Sequence, residues 1–193
     1  RKKMKVNKEN TVQTINATWD QSEPDTIHFT NRLTPDKECF IELAEKTSWK
    51  IPEGMKILEI GPGYGYMAKW LMETFNPESY TILDSKHSID IPRSILGESS
   101  NIKYFTNEEY EKIFDEEYDL LVSIQCLTEV PKLYAESILF NIDCKRFFII
   151  DTPHPSRGEL WNVSEFYNHF TSKYQQISSG YYPNNFAFLG KKI

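Results

Sequence analysis

The stretch from Lys56 to Phe75 constrains this chain more than any other. Lys56-Ile-Leu-Glu-Ile60 is short and apolar and runs into Gly61-Pro-Gly63-Tyr-Gly65. After the glycines, Ala68, Leu71, Met72 and Phe75 recur at i, i+3, i+4 and i+7. A brief apolar run bounded by a turn reads as a strand buried on both faces, and the recurrence that follows reads as an amphipathic helix. Strand, glycine turn and helix in direct succession predict the first half of a parallel βαβ unit. The missing side chains of the turn let the backbone pass close to a ligand.

Asn76-Pro77 ends the helix, and Tyr80-Thr-Ile-Leu-Asp84 reads as a second strand whose last residue is acidic. Asp84 lies about twenty residues beyond the glycines, where a carboxylate can accept hydrogen bonds from both hydroxyls of a ribose. Turn and acid together predict an adenosine-type ligand. The spacing departs from the dinucleotide pattern Gly-x-Gly-x-x-Gly, because the third glycine comes one residue early and Tyr66 stands in its place. No Gly-Lys-Ser/Thr follows, which excludes a Walker loop.

The rest of the chain continues the alternation. Thr34 can cap a helix with Pro35 in its first turn and Phe40, Leu43 and Ala44 on its inner face, ended by Pro52 and Gly54. Residues 1–33 are polar, with Trp19, His28 and Phe29 as bulky anchors and Pro24 as a breaker, and read as a flexible N-terminal arm before a domain of residues 34–193. Further strands are expected at Ile102–Thr106, Tyr118–Ile124 and Arg146–Thr152, separated by helical stretches of which Pro131–Phe140 is the clearest. Asn162 and Glu165 have capping-box spacing at the head of a last helix with Val163, Phe166, Tyr167 and Phe170 inward. Tyr174–Ser178 and Phe186–Leu189 then flank a loop holding Gly180, Pro183 and Asn184, as in a long hairpin. The expected architecture is α/β: a doubly wound, mostly parallel seven-stranded Rossmann-like sheet with a C-terminal antiparallel hairpin.

Composition narrows the partners. A chain of 193 residues suits one domain, and a net charge of −6 with a pI near 5.3 opposes a phosphate backbone, so no nucleic acid is expected. The basic start Arg1, Lys2, Lys3 and Lys5 reads as a solvated terminus. No apolar run approaches the roughly 18 residues that span a bilayer, and no secretory signal is evident, so a cytoplasmic protein without membrane partners is expected. Cys39, Cys126 and Cys144 are widely spaced and read as reduced, buried thiols. No carboxylate and histidine cluster has metal-ligand spacing, so no metal is expected.

The order acid, x, Gly, x, Gly, x, Gly from Glu59 to Gly65 after one strand, with Asp84 after the next, resembles the two most recognisable motifs of the class I methyltransferases, over roughly residues 54–193. The resemblance implies S-adenosylmethionine as cofactor. It places Glu59, Gly61, Pro62, Gly63, Tyr64 and Gly65 toward the methionine portion, Asp84 and Ser85 at the ribose, and Phe105 or Thr106 beside adenine. The closing strand pair also looks like that family's terminal hairpin, which a dehydrogenase does not need. Ile57–Gly65, Tyr80–Asp84 and Val122–Val130 are similar in wording to sugar O-methyltransferases of bacterial surface-polysaccharide clusters, which implies a sugar or related hydroxyl as acceptor.

Acceptor-side residues belong in loops at the carboxyl ends of the parallel strands. Gln125, Cys126 and Leu127 follow the fourth strand and could line the path of the methyl group, with Thr128 and Glu129 next; Glu129 reads either as a catalytic acid or as a first-turn helix charge. Asp151-Thr-Pro-His154-Pro-Ser-Arg157 follows the fifth strand, and His154 is the preferred general base because imidazole titrates near neutrality. His28 is a rival, His87 is expected near adenosine or solvent, and His169 is expected to be structural. Tyr134, Arg157 and Trp161 read as acceptor contacts or as core and surface residues. No Asn/Asp-Pro-Pro-aromatic run follows the fourth strand and no proline precedes Cys126, which speaks against base methylation. The expected activity is methyl transfer to a small-molecule acceptor. A non-catalytic cofactor-binding scaffold and a nicotinamide-dependent oxidoreductase are the alternatives, with self-association through the arm left open.

Overall fold

The computed structural model describes residues 26–151, 174–182 and 185–192. In chain order these form α1 (Thr26–Lys46), β1 (Lys56–Ile60), α2 (Tyr66–Phe75), β2 (Ser79–Asp84), α3 (Asp90–Leu96), β3 (Ile102–Thr106), a 3-10 helix (Asn107–Asp115), β4 (Glu117–Ile124), α4 (Lys132–Asn141), β5 (Asp143–Asp151), β6 (Tyr174–Tyr182) and β7 (Asn185–Lys192).

The strands make one seven-stranded sheet in the order β3-β2-β1-β4-β5-β7-β6. Neighbours from β3 through β5 are parallel, and β7 lies antiparallel between β5 and β6, so only β7 opposes the common direction. The chain winds outward from β1 to β3 and then crosses back to β4 beside β1. Strand order reverses between β1 and β4, and the carboxyl ends there form the crevice where open α/β sheets receive ligands.

Successive strand residues face opposite sides, and both sides are covered, which is why the strands are apolar throughout rather than alternating. Ile57, Ile82, Leu120, Val122 and Phe148 pack with Phe40 and Leu43 of α1 and Ala68 and Leu71 of α2. Leu58, Ile60, Leu121, Phe147 and Ile149 pack with Tyr110 and Ile113 of the 3-10 helix and Tyr134 and Ile138 of α4. Among the described residues no helix is long and apolar enough to cross a membrane.

Two expectations need correction. The first helix starts at Thr26 rather than Thr34, so its first turns fall within residues 1–33, read as an arm, Thr34 does not cap it, and Pro35 lies inside it. A proline removes one amide donor and crowds the carbonyl of Asn31, but it does not forbid turns on either side. The helix is anchored beyond the proline, where Phe40 is 0% exposed and meets Phe148 edge-on at 4.9 Å and Trp70 at 6.0 Å. At the other end, β6 runs on through Gly180 to Tyr182, which pairs with Asn185, so the connection is short rather than a long loop. Pairing with β7 satisfies the backbone at Gly180, which turn propensity alone assigned to the loop. The helix expected around Asn162–Phe170 lies outside the described residues.

Candidate active site

The glycine turn is left-handed at Gly61, Gly63 and Gly65, with φ of 67°, 57° and 75°. Gly61 N–H donates to Leu83 O at 2.9 Å, tying the turn to β2, and Gly65 O accepts Lys69 N–H at 2.9 Å to begin α2. A Cβ on Gly61 would lie 2.4 Å from Cys126 Sγ, and one on Gly65 would lie 3.0 Å from Pro92 Cβ. Only glycine fits where the exits of β1 and β4 touch. Pro62 and Gly63 are half-buried, while Tyr64 is buried and stacks on Tyr66 at 6.0 Å.

Two carboxyls lie beneath this turn. Glu59, 2% exposed, accepts the Tyr80 hydroxyl at 2.7 Å on Oε2. Burial pushes its carboxyl up to about 7, the Tyr80 hydrogen bond opposing and the charge of Asp84 adding. Glu59 is therefore turned into the protein beneath the glycines. Asp84, 3% exposed, accepts Ser85 N–H at 2.7 Å on Oδ1, while its buried Oδ2 has no partner among the described residues. Burial pushes this carboxyl up to about 7 as well, against the Ser85 hydrogen bond. An unpartnered buried carboxylate oxygen carries a large desolvation penalty unless something else donates to it.

Ser85 itself is engaged elsewhere: its hydroxyl lies 2.7 Å from that of Ser88 and accepts Ser88 N–H at 3.1 Å, shaping the start of α3. At the end of β3, Thr106 forms a capping box with Glu109, whose Oε2 accepts Thr106 N–H at 3.3 Å. Phe105 is half-buried with Lys112 Nζ 5.6 Å from its ring centroid. Of the two adenine-side candidates, Thr106 is committed to the cap and Phe105 offers a ring.

The exit of β4 is pinned to β5. Gln125, with φ of 53°, donates its N–H to Ile150 O at 2.7 Å. Thr128 N–H donates to Asp151 Oδ2 at 3.0 Å, and the Thr128 hydroxyl donates to Asp151 Oδ1. Between these pins Cys126 is pressed against Gly61; burial, reinforced by Asp84, Glu129 and Asp151, raises its thiol well above the ordinary range. It is a neutral packing group. All three cysteines are free and buried.

Glu129 is half-buried and its N–H donates to Cys126 O at 2.9 Å. It precedes the N-cap Pro131, so its reading as a first-turn helix charge is corrected: α4 has no acid in its first turn. Proline cannot continue a helix backward through its own nitrogen, and α4 begins beyond it. Tyr134 is 2% exposed and donates to Asn107 Oδ1 at 2.9 Å, which makes it core rather than an acceptor contact. His87 is exposed. His154, Arg157, Trp161 and His169 lie outside the described residues, and His28 falls in α1.

The structure thus brings the glycine turn, Asp84, Gln125 and Cys126 to one edge of the sheet. It adds two features that local sequence patterns do not reveal, the Glu59–Tyr80 bond and the Thr128–Asp151 brace, which join residues 21 and 23 apart. Only strand order brings such pairs together. The Thr106-x-x-Glu109 box, by contrast, was readable as a local pattern. Among the described residues, the buried charged side chains are Asp36, Glu59, Asp84 and Asp151, with no buried Lys, Arg or His, and no acid, Cys or His group could hold a metal ion.

No protein-family model matches the sequence, and no curated protein matches it. Solved structures do. The chain is similar to magnesium protoporphyrin IX methyltransferase of Synechocystis PCC 6803, with bound S-adenosylmethionine, at a TM-score of 0.62, 11% identity and 100% of both chains covered. It is similar to the pyocyanin biosynthetic protein PhzM at a TM-score of 0.62 and 11% identity, covering 93% of this chain and 62% of that one. It is also similar to the 16S rRNA methylase ArmA at a TM-score of 0.57 and 16% identity, covering 98% and 100%. At such identities the likeness speaks for architecture, and the architecture is the Rossmann-like fold of class I methyltransferases.

Proposed function

We propose that this protein is an S-adenosylmethionine-dependent methyltransferase acting on a hydroxyl of a small acceptor, a sugar or related metabolite. The observation that carries the reading is the buried, unpartnered Oδ2 of Asp84 beside the glycine turn at the switch point of the sheet. A ribose hydroxyl supplies the donor that this oxygen lacks. Gly61 and Gly65 let the turn close against Cys126 and Pro92, which fixes its backbone where the methionine portion would lie, and Phe105 offers an apolar face for adenine. When bound, the cofactor supplies an electrophilic sulfonium methyl that an acceptor oxygen takes, leaving S-adenosylhomocysteine. The solved relatives named above include methyltransferases of a porphyrin and of ribosomal RNA, and the net charge of −6 favours the small-molecule side of that range.

In this reading the chain aligns the reactants, and fixed geometry can supply about 7 to 11 kcal/mol of a barrier in favourable cases. The pinned Gln125–Thr128 segment forms the wall between cofactor and acceptor. His154, three residues beyond the end of β5, takes the acceptor proton, with Glu129 as the second candidate. Isothermal titration of S-adenosylmethionine and S-adenosylhomocysteine into the wild type and Asp84→Ala, with NADH as control, tests the reading. Saturable binding of the adenosyl ligands that is lost in the variant is expected; no binding by folded wild type, or preference for NADH, overturns it.

A further inference from the structure

We propose that filling this site expels a proton: in the ligand-free protein the Glu59–Asp84 pair retains a proton at neutral pH, and ribose hydroxyls donating to Asp84 Oδ2 leave the pair ionised. The inference rests on the cofactor reading above and adds a regulation of the same site.

The geometry leaves the free protein little choice. Two carboxyls, 2% and 3% exposed, lie near the carboxyl ends of adjacent strands, and the charge of Asp84 acts on Glu59. Among the described residues they receive the Tyr80 hydroxyl at Glu59 Oε2 and Ser85 N–H at Asp84 Oδ1, while Asp84 Oδ2 has no donor. Among the described residues, no Lys, Arg or His is buried beside them. From the β4 exit comes the neutral thiol of Cys126, and from α4 the phenol of Tyr134, each of which feels Asp84. Lys86 and His87, next along the chain, are exposed, and Lys86 pairs with Glu108 at 3.3 Å. Two buried carboxylates with no buried cation among the described residues cannot both ionise readily, so one keeps its proton.

Both carboxyls are pushed up to about 7, in line with that argument. Hydroxyls donating to a carboxylate favour its charged form. The proton leaves the pair for solvent as the ligand enters, and no other bond changes. Affinity therefore rises with pH until the free pair is already ionised.

The test is titration calorimetry of S-adenosylhomocysteine into wild type and Glu59→Gln, in buffers of different ionisation enthalpy at several pH values between 6 and 8.5. In wild type the observed enthalpy should change with the buffer near pH 7, reporting a fraction of one proton released. The dissociation constant should fall as pH rises, by up to tenfold per unit, and then level off. Glu59→Gln removes the neighbouring carboxyl and should move that midpoint to lower pH. The ligand's own amine contributes equally to both proteins, so the difference belongs to the chain. Carbon-13 carboxyl resonances of ligand-free wild type give a reading independent of the variant: a side-chain carboxyl should titrate near neutrality and lose that transition when ligand is bound. Tight binding with buffer-independent enthalpy and no neutral carboxyl transition overturns the proton release and leaves the cofactor reading standing, whereas absence of binding removes the cofactor reading itself.

Discussion

Asp84 and Asp151 occupy equivalent places, the last residues of β2 and β5, and are buried to 3% and 1% exposure, yet their surroundings differ in one respect. Both oxygens of Asp151 receive hydrogen bonds from Thr128, one from its N–H and one from its hydroxyl. Asp84 receives Ser85 N–H on one oxygen and, among the described residues, nothing on the other. The same side chain at the same edge of the sheet is a brace in one half and an open acceptor in the other. A saturated buried carboxylate contributes to folding, while an unsaturated one opposes folding and is retained where a ligand completes it.

The largest effect should fall where the two halves touch. Gly61→Ala forces a Cβ to 2.4 Å from Cys126 Sγ at a φ of 67°. A left-handed non-glycine residue costs about 1–2 kcal/mol and overpacking about 1–3 kcal/mol, so a loss of about 2–5 kcal/mol in urea unfolding is expected, together with loss of ligand binding. If Gly61→Ala folds with wild-type stability, the two exits are not in contact and the comparison fails at its hinge.

Next come the two aspartates themselves. Asp151→Ala strips the acceptors from two buried donors and should cost about 3 kcal/mol, given roughly 1.5–3 kcal/mol for each hydrogen bond to a charged group and some relief from losing a buried charge. Asp84→Asn keeps an acceptor for Ser85 N–H and removes the buried charge, so it should leave stability at pH 8 equal or higher while weakening binding of S-adenosylhomocysteine. Equal destabilisation by both substitutions would erase the distinction between brace and open acceptor.

The distinction extends to pH. Glu59 and Asp84 have folded values raised to about 7 from ordinary values of 4.5 and 3.8, so the folded state holds more protons than the unfolded one across that interval. Stability should therefore fall as pH rises from about 4 toward 7 and flatten above, and Asp84→Asn should remove part of that slope. Thermal melts at pH 5, 6, 7 and 8 measure it. A wild-type melting temperature that climbs over this range contradicts the assignment of buried, proton-holding carboxyls.

The open half was far more legible in the sequence than the braced half. The acid and glycines from Glu59 to Gly65 and the strand end at Asp84 are local patterns whose meaning follows from a short stretch of backbone, and β1 and β3 lie where periodicity put them. The brace was not legible, because Thr128 and Asp151 meet only after β4 and β5 pair in register. Pro35 misled for a related reason: local rules count its lost hydrogen bond but not the anchoring of Phe40 among Trp49, Trp70 and Phe148. Tyr134 was open between acceptor and core until its hydroxyl met Asn107, a residue of a 3-10 helix that no apolar period announces.

The smallest effect separates the parts of the brace. Thr128→Ser keeps both donors to Asp151 and loses one methyl group from a residue 2% exposed, a loss of about 1 kcal/mol or less on the scale of a single buried methyl. Thr128→Val keeps the shape and the backbone donor but removes the hydroxyl, leaving one Asp151 oxygen without its Thr128 partner, and should cost about 1–3 kcal/mol more. Hydrogen exchange of the Gln125–Glu129 amides measures where that energy goes: if the brace holds the wall, Val speeds exchange across the segment and Ser does not. Should the two variants exchange alike, the hydroxyl bond is incidental, and the two backbone pins, Gln125 N–H to Ile150 O and Thr128 N–H to Asp151 Oδ2, hold the segment.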